Sequence, residues 1–259
     1  MPDTPLPEPR TKQTVPTMVA HRGASARYPE NTIIAYQAAI DAGAKFVELD
    51  TQITLDQVPI VHHDQDLKRM TGNAGDILTM NSADVLKHRA SYPEKFGDKF
   101  RGNPLSTLSE FAQWFSQYPE VIVFVEIKSQ SVEAFGESTS AKLVLDAIKP
   151  VRQHAVVISF HVGVLEAVRR ADSALPIGWV LPAYDDQSQK IVQQLKPEYL
   201  FCDTKRVPPD RKVWLGDWQW ALYNTDSVEE AMDFFQNGFD MLETNRIVDL
   251  LSSKEFTTL

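Results

Sequence analysis

The sequence predicts an α/β fold, a closed (β/α)8 barrel of the TIM type that carries a small insertion after its second strand. Eight short apolar segments follow one another along the chain, and amphipathic helical segments lie between most of them. Alternation of strands and helices is typical of a parallel sheet. Eight strands in 259 residues fit a barrel that forms a single domain, here over residues 17–259. An open doubly wound sheet is the structural alternative.

The predicted strands are short runs of apolar and β-branched residues. They cover residues 18–20, 46–50, 121–127, 156–159, 177–180, 199–202, 219–223 and 239–242. Helical patterns cover residues 32–42, 108–117, 141–148, 163–171 and 227–237. No Gly-x-Gly-x-x-Gly loop follows any of these strands, so the sequence does not predict dinucleotide binding.

The interval from residue 52 to about residue 106 breaks this alternation. Its first part, "QITLDQVPIVHHDQDLKRMTG", predicts a small hairpin followed by a loop. In a barrel, a long excursion after an early strand lies over one mouth of the barrel. A surface loop without function is the alternative for residues 90–103.

The first 16 residues are rich in proline and polar residues, which predicts a flexible lead-in without the apolar core of a secretory signal. No apolar run approaches the roughly 20 residues that span a bilayer. The single cysteine, Cys202, excludes an intramolecular disulfide and a cysteine zinc cluster, and we expect it to be a small buried core residue. We therefore predict a cytoplasmic protein.

The charge balance bears on the class of partner. Against 26 Lys and Arg residues stand 35 Asp and Glu residues, so the formal net charge is −9. A negative chain is a poor ligand for nucleic acid, so we expect no nucleic-acid partner. An anionic small molecule would have to be held by local positive charge.

Acidic residues stand at the ends of two predicted strands. Glu48 and Asp50 are two residues apart, so both side chains point to one face. Glu126 ends a later strand and has the same spacing to Lys128. Oxygen ligands alone favour a hard cation, Mg²⁺ or Ca²⁺, over zinc. The alternative for each acid is a salt bridge at a strand end, and Lys128 is the obvious partner for Glu126.

Histidines follow two apolar runs. His21 ends the first strand beside Arg22, and Gly23 lets the backbone turn there and pass close to a ligand. His62 and His63 follow the run 58–61, and in an extended chain only one of them can face the site. His161 follows a later strand and is a weak candidate for a substrate contact.

Barrel enzymes take their catalytic groups from the carboxyl ends of different strands. A metal, a guanidinium, an ammonium and two imidazoles suit a phosphodiester, because the cations neutralise the phosphate and stabilise the charge that develops on it. One imidazole can take a proton from the nucleophile while the other gives a proton to the leaving alkoxide.

The chain resembles the glycerophosphodiester phosphodiesterase family. The resemblance starts at "HRGASARYPENT", runs through "AYQAAIDAGAKFVELDTQITLDQVPIVHHDQDLKRMTG" and resumes at "VEIK", "VISF" and "NGFDMLETN". It implies a barrel with a small insertion after the second strand. It further implies one divalent cation, Mg²⁺ or Ca²⁺, and these site residues: His21 and His63 as the acid–base pair, Arg22 on the phosphate, Lys128 on the phosphate or the metal ligands, and Glu48, Asp50 and Glu126 as metal ligands.

The chain departs from the family pattern at three places. Asp56-Gln57 stands where the family usually has Asp-Gly. Trp220 and Asn224 are one residue further apart than in the family's Trp-Thr-Val-Asn, which leaves the substrate-facing aromatic residue open. The closing Thr-Asp of the family is replaced in Glu243-Thr244-Asn245, at a strand end that is a candidate wall of the alcohol pocket. The segment 29–32 we interpret as structural, with Asn31 or Thr32 capping the next helix.

The predicted function is metal-dependent hydrolysis of glycerophosphodiesters to glycerol 3-phosphate and an alcohol. One alternative is a lysophospholipase D-type activity on lysophospholipids, for which Tyr92, Phe96 and Phe100 of the insertion could supply an apolar surface. Another is a non-catalytic phosphate-binding barrel, which would require a degraded site.

Overall fold

The computed structural model describes residues 13–257, so the first twelve residues of the predicted lead-in lie outside the described part. Within that part, eight parallel strands close into a barrel, because β1 pairs with both β2 and β9. The strands are β1 (Thr17–His21), β2 (Phe46–Ile53), β3 (Pro59–Val61), β4 (Ile122–Ile127), β5 (Ala155–Ser159), β6 (Ile177–Val180), β7 (Tyr199–Asp203), β8 (Gln219–Tyr223) and β9 (Met241–Thr244). The short β3 stands outside the ring and pairs antiparallel with β2. The predicted barrel is confirmed.

Helices cover the outside of the ring. They are α1 (Ile33–Asp41), α2 (Lys68–Thr71), α3 (Ser82–Val85), α4 (Pro93–Phe96), α5 (Leu108–Phe115), α6 (Ser129–Phe135), α7 (Glu137–Ala147), α8 (Val162–Ala171), α9 (Asp186–Leu195), α10 (Val228–Gln236), α11 (Ile247–Leu251) and α12 (Lys254–Thr257). Among residues 13–257, none of these helices is long and apolar enough to cross a membrane.

Two apolar cores follow from the alternation of side chains along the strands. Outward residues such as Met18, Val47 and Leu49 pack under the helices, together with the buried Cys202. Inward residues such as Val19 and Phe124 fill the barrel. Because successive side chains point to opposite faces, each strand commits every second residue to the barrel interior.

Helix α5 illustrates how the outer layer is fixed. Thr107 and Glu110 form a reciprocal capping box that starts the helix. Its apolar side chains recur at the helical period and are buried, and Phe111 packs edge-on against Tyr36 of α1, with ring centroids 4.8 Å apart. The same pattern marks this segment as a helix in the sequence.

The predicted irregular interval holds β3, α2, α3 and α4, between β2 and α5. The hairpin prediction is correct, and it lengthens β2 to Ile53. This insertion has a small core of its own, formed by Ile60, Leu67, Met70, Ile77, Val85, Ala90 and Leu105. In the hairpin turn, Gln57 has a left-handed backbone with φ of 62°, the conformation that the family's glycine would adopt without strain.

The last strand begins two residues later than predicted. The sequence places it at residues 239–242, whereas β9 is Met241–Thr244. Phe239 is apolar but belongs to the outer core, where its ring packs against Trp220 and Phe234. The shift brings Glu243 into the strand, at an inward position.

Candidate active site

The inner face of the barrel changes from apolar to polar at the carboxyl ends of its strands. Apolar residues of the interior core are followed, two positions later on the same face, by His21 on β1, Glu48 on β2, Glu126 on β4, Tyr223 on β8 and Glu243 on β9. A cavity of about 140 Å³ opens there. Its charged and imidazole lining residues are His21, Arg22, Glu48, His63, Glu126, Lys128 and Glu243.

The three predicted metal ligands come together. Oxygen atoms of Glu48, Asp50 and Glu126 lie within 4.8 Å of one another, and Asp50 stands directly opposite Glu126 across β2 and β4. All three residues are buried, and the described residues offer only oxygen donors in this group. Lys128 Nζ approaches Glu126 Oε1 at 2.9 Å, and the described residues supply no further hydrogen-bond partner to this atom. The donor set therefore fits a hard divalent cation.

The two cationic side chains of the cavity, Arg22 and Lys128, both contact Asp50. Arg22 Nε lies 3.0 Å from Asp50 Oδ2, and Lys128 Nζ lies 3.2 Å from Oδ1 and 2.9 Å from Glu126 Oε1. The predicted salt bridge of Glu126 with Lys128 thus coexists with the carboxylate cluster. Burial disfavours the charged form of Asp50, but Arg22 and Lys128 outweigh burial and hold its pKa well below the usual range.

Glu48 lacks such compensation. Burial, Asp50 and Glu243 together raise the pKa of Glu48 well above that of an ordinary glutamate. Burial also raises the pKa of Glu126, although Lys128 opposes the shift. The negative charge on the Glu48 side of the cavity is therefore less compensated than that of Asp50.

His21 is fixed in one tautomer by residues distant in sequence. Its Nδ1 lies 3.0 Å from Oδ1 of Asn245, which also accepts a hydrogen bond from the Ser25 hydroxyl. Asn245 is held in turn by Asp226, which accepts from the Asn245 backbone N–H at 2.9 Å. Because an amide oxygen only accepts, His21 Nδ1 carries the proton and Nε2 is left with its lone pair. Burial and the neighbouring Arg22 lower the pKa of His21 to about 3, so the ring is neutral at pH 7.

The structure separates the two neighbouring histidines. His63 lines the cavity, and its Nδ1 lies 2.6 Å from Oδ1 of Asp64. His62 is 1% exposed, lies outside the cavity wall and donates from Nδ1 to the backbone carbonyl of Asp64. Asp64 is oriented by Arg69 of α2, which reaches its Oδ2 at 2.6 Å.

The turn after β1 is shaped by glycine and by the segment 29–32. Gly23 has φ of 81°, as expected, and its backbone packs closely on α1: a Cβ there would lie 2.7 Å from the carbonyl carbon of Ala35. Asn31 donates to Asp50 Oδ2 at 2.8 Å instead of capping α1, and the Thr32 hydroxyl donates to the Pro29 carbonyl.

Glu30 is a site residue that the sequence did not reveal. It contacts Arg22 at 3.0 Å and Arg69 at 2.7 Å, and thereby connects the first strand's end with the insertion. The segment 29–32, which the sequence suggests is mainly structural, thus supplies a carboxylate that contacts the guanidinium of Arg22.

The remaining wall of the cavity is apolar or uncharged. It consists of Ile158, Phe160, Val180, Phe201, Tyr223 and Asn224. Trp220 is not part of this wall, since it is buried under the helices and its indole N–H donates to the Trp214 carbonyl. His161 is likewise outside the wall, with Nδ1 at 3.8 Å from Glu137. The aromatic residue that faces the cavity from β8 is Tyr223.

Residues 21–209 match the sequence model described as the Glycerophosphoryl diester phosphodiesterase family. The chain belongs to this family. Two curated relatives carry the name glycerophosphodiester phosphodiesterase. The protein of Caldanaerobacter subterraneus subsp. tengcongensis is 34% identical over 163 residues, which cover 62% of this chain and 65% of the relative. The protein of Bacillus subtilis is 38% identical over 117 residues, which cover 43% of this chain and 39% of the relative. Each match thus spans less than two thirds of the relative's length.

The family's barrel is also found among solved structures. A phosphodiesterase of Oleispira antarctica, solved in complex with the product sn-glycerol-3-phosphate, superposes with a TM-score of 0.79. It covers 92% of this chain and 96% of the other chain at 22% sequence identity, a similarity of fold. The family assignment made from the motifs is confirmed.

Proposed function

We propose that this family member hydrolyses glycerophosphodiesters to sn-glycerol 3-phosphate and an alcohol. The observation that carries the proposal is the shared cavity of His21, His63, Arg22, Lys128 and the carboxylate cluster. The names of the curated relatives and the product bound by the Oleispira antarctica phosphodiesterase support it.

The positively charged side chains of the cavity bind the substrate. Arg22 and Lys128 hold the phosphate, and both stay charged, because Asp50 favours the cationic form of each and raises the pKa of Lys128 despite burial. Glu48, Asp50 and Glu126 would hold a divalent cation, Mg²⁺ or Ca²⁺. When bound, the cation neutralises the phosphoryl oxygens and lowers the energy of the charge that develops on them.

The two histidines divide the proton transfers. His21 is neutral and presents Nε2, so it takes the proton from the attacking hydroxyl of water or of the substrate. His63 is oriented by Asp64 and gives a proton to the leaving alkoxide. If a substrate hydroxyl attacks first, the roles reverse in the second step: His63 takes a proton from water and His21 returns one to the departing hydroxyl. If water attacks directly, His21 releases its proton to solvent and His63 takes one up, so both rings return to their starting states.

The geometry favours small substrates over lysophospholipids. Tyr92, Phe96 and Phe100 of the insertion pack against one another, with ring centroids 5.2 to 6.0 Å apart, and none of them lines the cavity. A lipid chain would need an apolar groove that leads from the cavity to these rings. The rings are not part of the cavity lining. A purely phosphate-binding barrel is also disfavoured, because every proposed catalytic side chain is present and faces the same space.

We also propose that residues 17–259 act as one domain, with residues 52–106 as its insertion, and that the protein acts in the cytoplasm without a nucleic-acid partner. The small core of the insertion and its contacts with Glu30 support the first part. The location and the excluded partner rest on composition and charge.

The experiment measures release of sn-glycerol 3-phosphate from glycerophosphocholine, glycerophosphoethanolamine and lysophosphatidylcholine. We expect release from the first two, loss of activity in EDTA and its return with Mg²⁺ or Ca²⁺. H21A and H63A should each lose activity, whereas H88A, which changes a histidine of the insertion surface, should not. No glycerol 3-phosphate from any glycerophosphodiester would refute the function, and full activity of H21A would refute the acid–base roles.

A further inference from the structure

The end of β9 adds a fourth carboxylate to the cavity. Glu243 pairs with Tyr223 of β8 and with Val19 of β1, and points inward. Its side chain is only 3% exposed, and its Oε1 has no hydrogen-bond partner among the residues that the structure describes. No step of the proposed reaction uses this residue. A buried carboxylate oxygen without a donor costs stability, so this oxygen points to a ligand that the protein itself does not supply.

With every carboxylate ionised, the formal charges of the cavity do not balance without such a ligand. Four carboxylates, Glu48, Asp50, Glu126 and Glu243, face two side-chain cations, Arg22 and Lys128. The formal excess is two negative charges, the charge that one divalent cation neutralises. Glu30 and Arg69 add one charge of each sign and leave this count unchanged, although Glu30 also contacts Arg22.

The excess lies on one side of the cavity. Both oxygens of Asp50 are engaged, by Arg22 and Asn31 on one and by Lys128 on the other. Glu126 also contacts Lys128. Glu243, in contrast, has no Lys or Arg within 4.0 Å in the described chain, and its nearest basic group is Nε2 of His21 at 3.9 Å. Glu48 accepts at Oε2 from the Arg22 backbone N–H at 3.2 Å, so Glu48 and Glu243 are the two of these four carboxylates that, in the described chain, have no Lys or Arg side chain within 4.0 Å.

Distances allow both carboxylates to bind one ion. Ligand atoms of His21, Glu48 and Glu243 lie within 4.8 Å of one another, and Glu48 is also a member of the cluster with Asp50 and Glu126. We propose that Glu243 is a ligand of the divalent cation, so that the ion is bound on the side of Glu48 and Glu243 and not centred on Asp50. The inference rests on the cation site of the proposed function and adds to it a residue outside the predicted ligand set.

The test measures cation binding without substrate. The full chain is freed of metal with a chelator, and binding of Ca²⁺ and of Mg²⁺ is followed by titration calorimetry for wild type, E243Q and E120Q. Glu120 is exposed, so E120Q makes the same change in net charge away from the cavity. Because ligand charge sets cation affinity, we expect E243Q to bind at least about tenfold more weakly and E120Q to bind within about twofold of wild type. Wild-type affinity in E243Q overturns the proposal.

Thermal unfolding tests whether Glu243 is a cation ligand or a residue that only stabilises the fold. In EDTA, E243Q should unfold at the same temperature as wild type or higher, because it removes an uncompensated buried charge. With Ca²⁺ added, its midpoint should rise less than that of wild type. A lower midpoint in EDTA together with a full rise in Ca²⁺ contradicts the assignment. Should E243Q not fold, E243D decides, since a carboxylate drawn back by one methylene must bind the cation more weakly if Glu243 is a ligand.

Failure of this inference and failure of the proposed function are distinguishable. Weakened cation binding by E243Q in a protein that cleaves no glycerophosphodiester supports the ligand and refutes the function. Cleavage by wild type with unchanged cation affinity in E243Q supports the function and refutes the ligand.

Discussion

Replacing Asn245 with leucine should slow hydrolysis and leave substrate binding nearly unchanged. Leucine has a similar volume but offers no acceptor to Nδ1 of His21, which now lies 3.0 Å from the Asn245 amide oxygen. Asn245 itself does not line the cavity. Its role is therefore to position the ring of His21 and to keep the lone pair on Nε2.

The magnitude follows from the buried N–H that loses its acceptor. The loss matters most when Nε2 accepts a proton, because the imidazolium then has two donors to satisfy. A buried donor without a partner costs about 1–3 kcal/mol, which corresponds to a roughly 5- to 150-fold lower kcat. A neutral ring can also move its proton to Nε2, which removes the base and adds to the loss.

The assay is steady-state release of sn-glycerol 3-phosphate, with kcat and KM determined separately. We expect N245L to lower kcat within that range and to change KM by less than about threefold, since uniform binding is untouched. N81L is the matched control, because Asn81 is exposed and its side chain makes no helix-cap hydrogen bond. A kcat of N245L within threefold of wild type, in a protein shown to be folded, would refute the assignment of the His21 tautomer to Asn245.

Three further predictions concern pH and the backbone. Cation affinity should rise between pH 6 and pH 8, because burial raises the pKa of Glu48 and brings that of Glu243 to about 8, so bound protons must leave before the cation binds. Calorimetry in buffers of different ionisation enthalpy measures the number of protons released. A cation affinity that does not change with pH contradicts this prediction. G23A should destabilise the protein by more than about 2 kcal/mol, whereas G102A, where a Cβ meets nothing within 4 Å, should change the urea midpoint little; equal effects would contradict the close packing on Ala35. Q57G should stabilise the fold by about 0.5–1 kcal/mol, since φ of 62° strains glutamine, and a lower urea midpoint would show that the turn prefers glutamine.

Strand periodicity accounts for most of what the sequence predicted. Glu48, Asp50 and Glu126 could be placed on one face because side chains two apart on a strand point the same way, and the register of β2 with β4 then brings them together. His21 and Arg22 were found because a strand end carries them. These inferences need only local pattern and the rule that parallel strands share one carboxyl edge.

The contacts that the sequence did not reveal depend on the tertiary fold, which local pattern does not contain. Glu243 was left outside the last strand because apolar Phe239 was counted as its start, although that ring packs under the helices. Asn245 reaches Ser25 and His21 across 220 residues or more, and Glu30 reaches Arg69 across 39. The choice of His63 over His62 came from family resemblance, since alternation alone allowed either.

Arg69 links the insertion to the barrel, so the two cannot be engineered independently. Its guanidinium forms ion pairs with Glu30, which contacts Arg22, and with Asp64, which contacts His63. A graft that exchanges residues 52–106 for the corresponding loop of another barrel will succeed only if the incoming segment brings an arginine at this place. A substitution at Glu30, Asp64 or Arg69 removes at least one of these ion pairs, so a redesign of the insertion has to treat the three positions together.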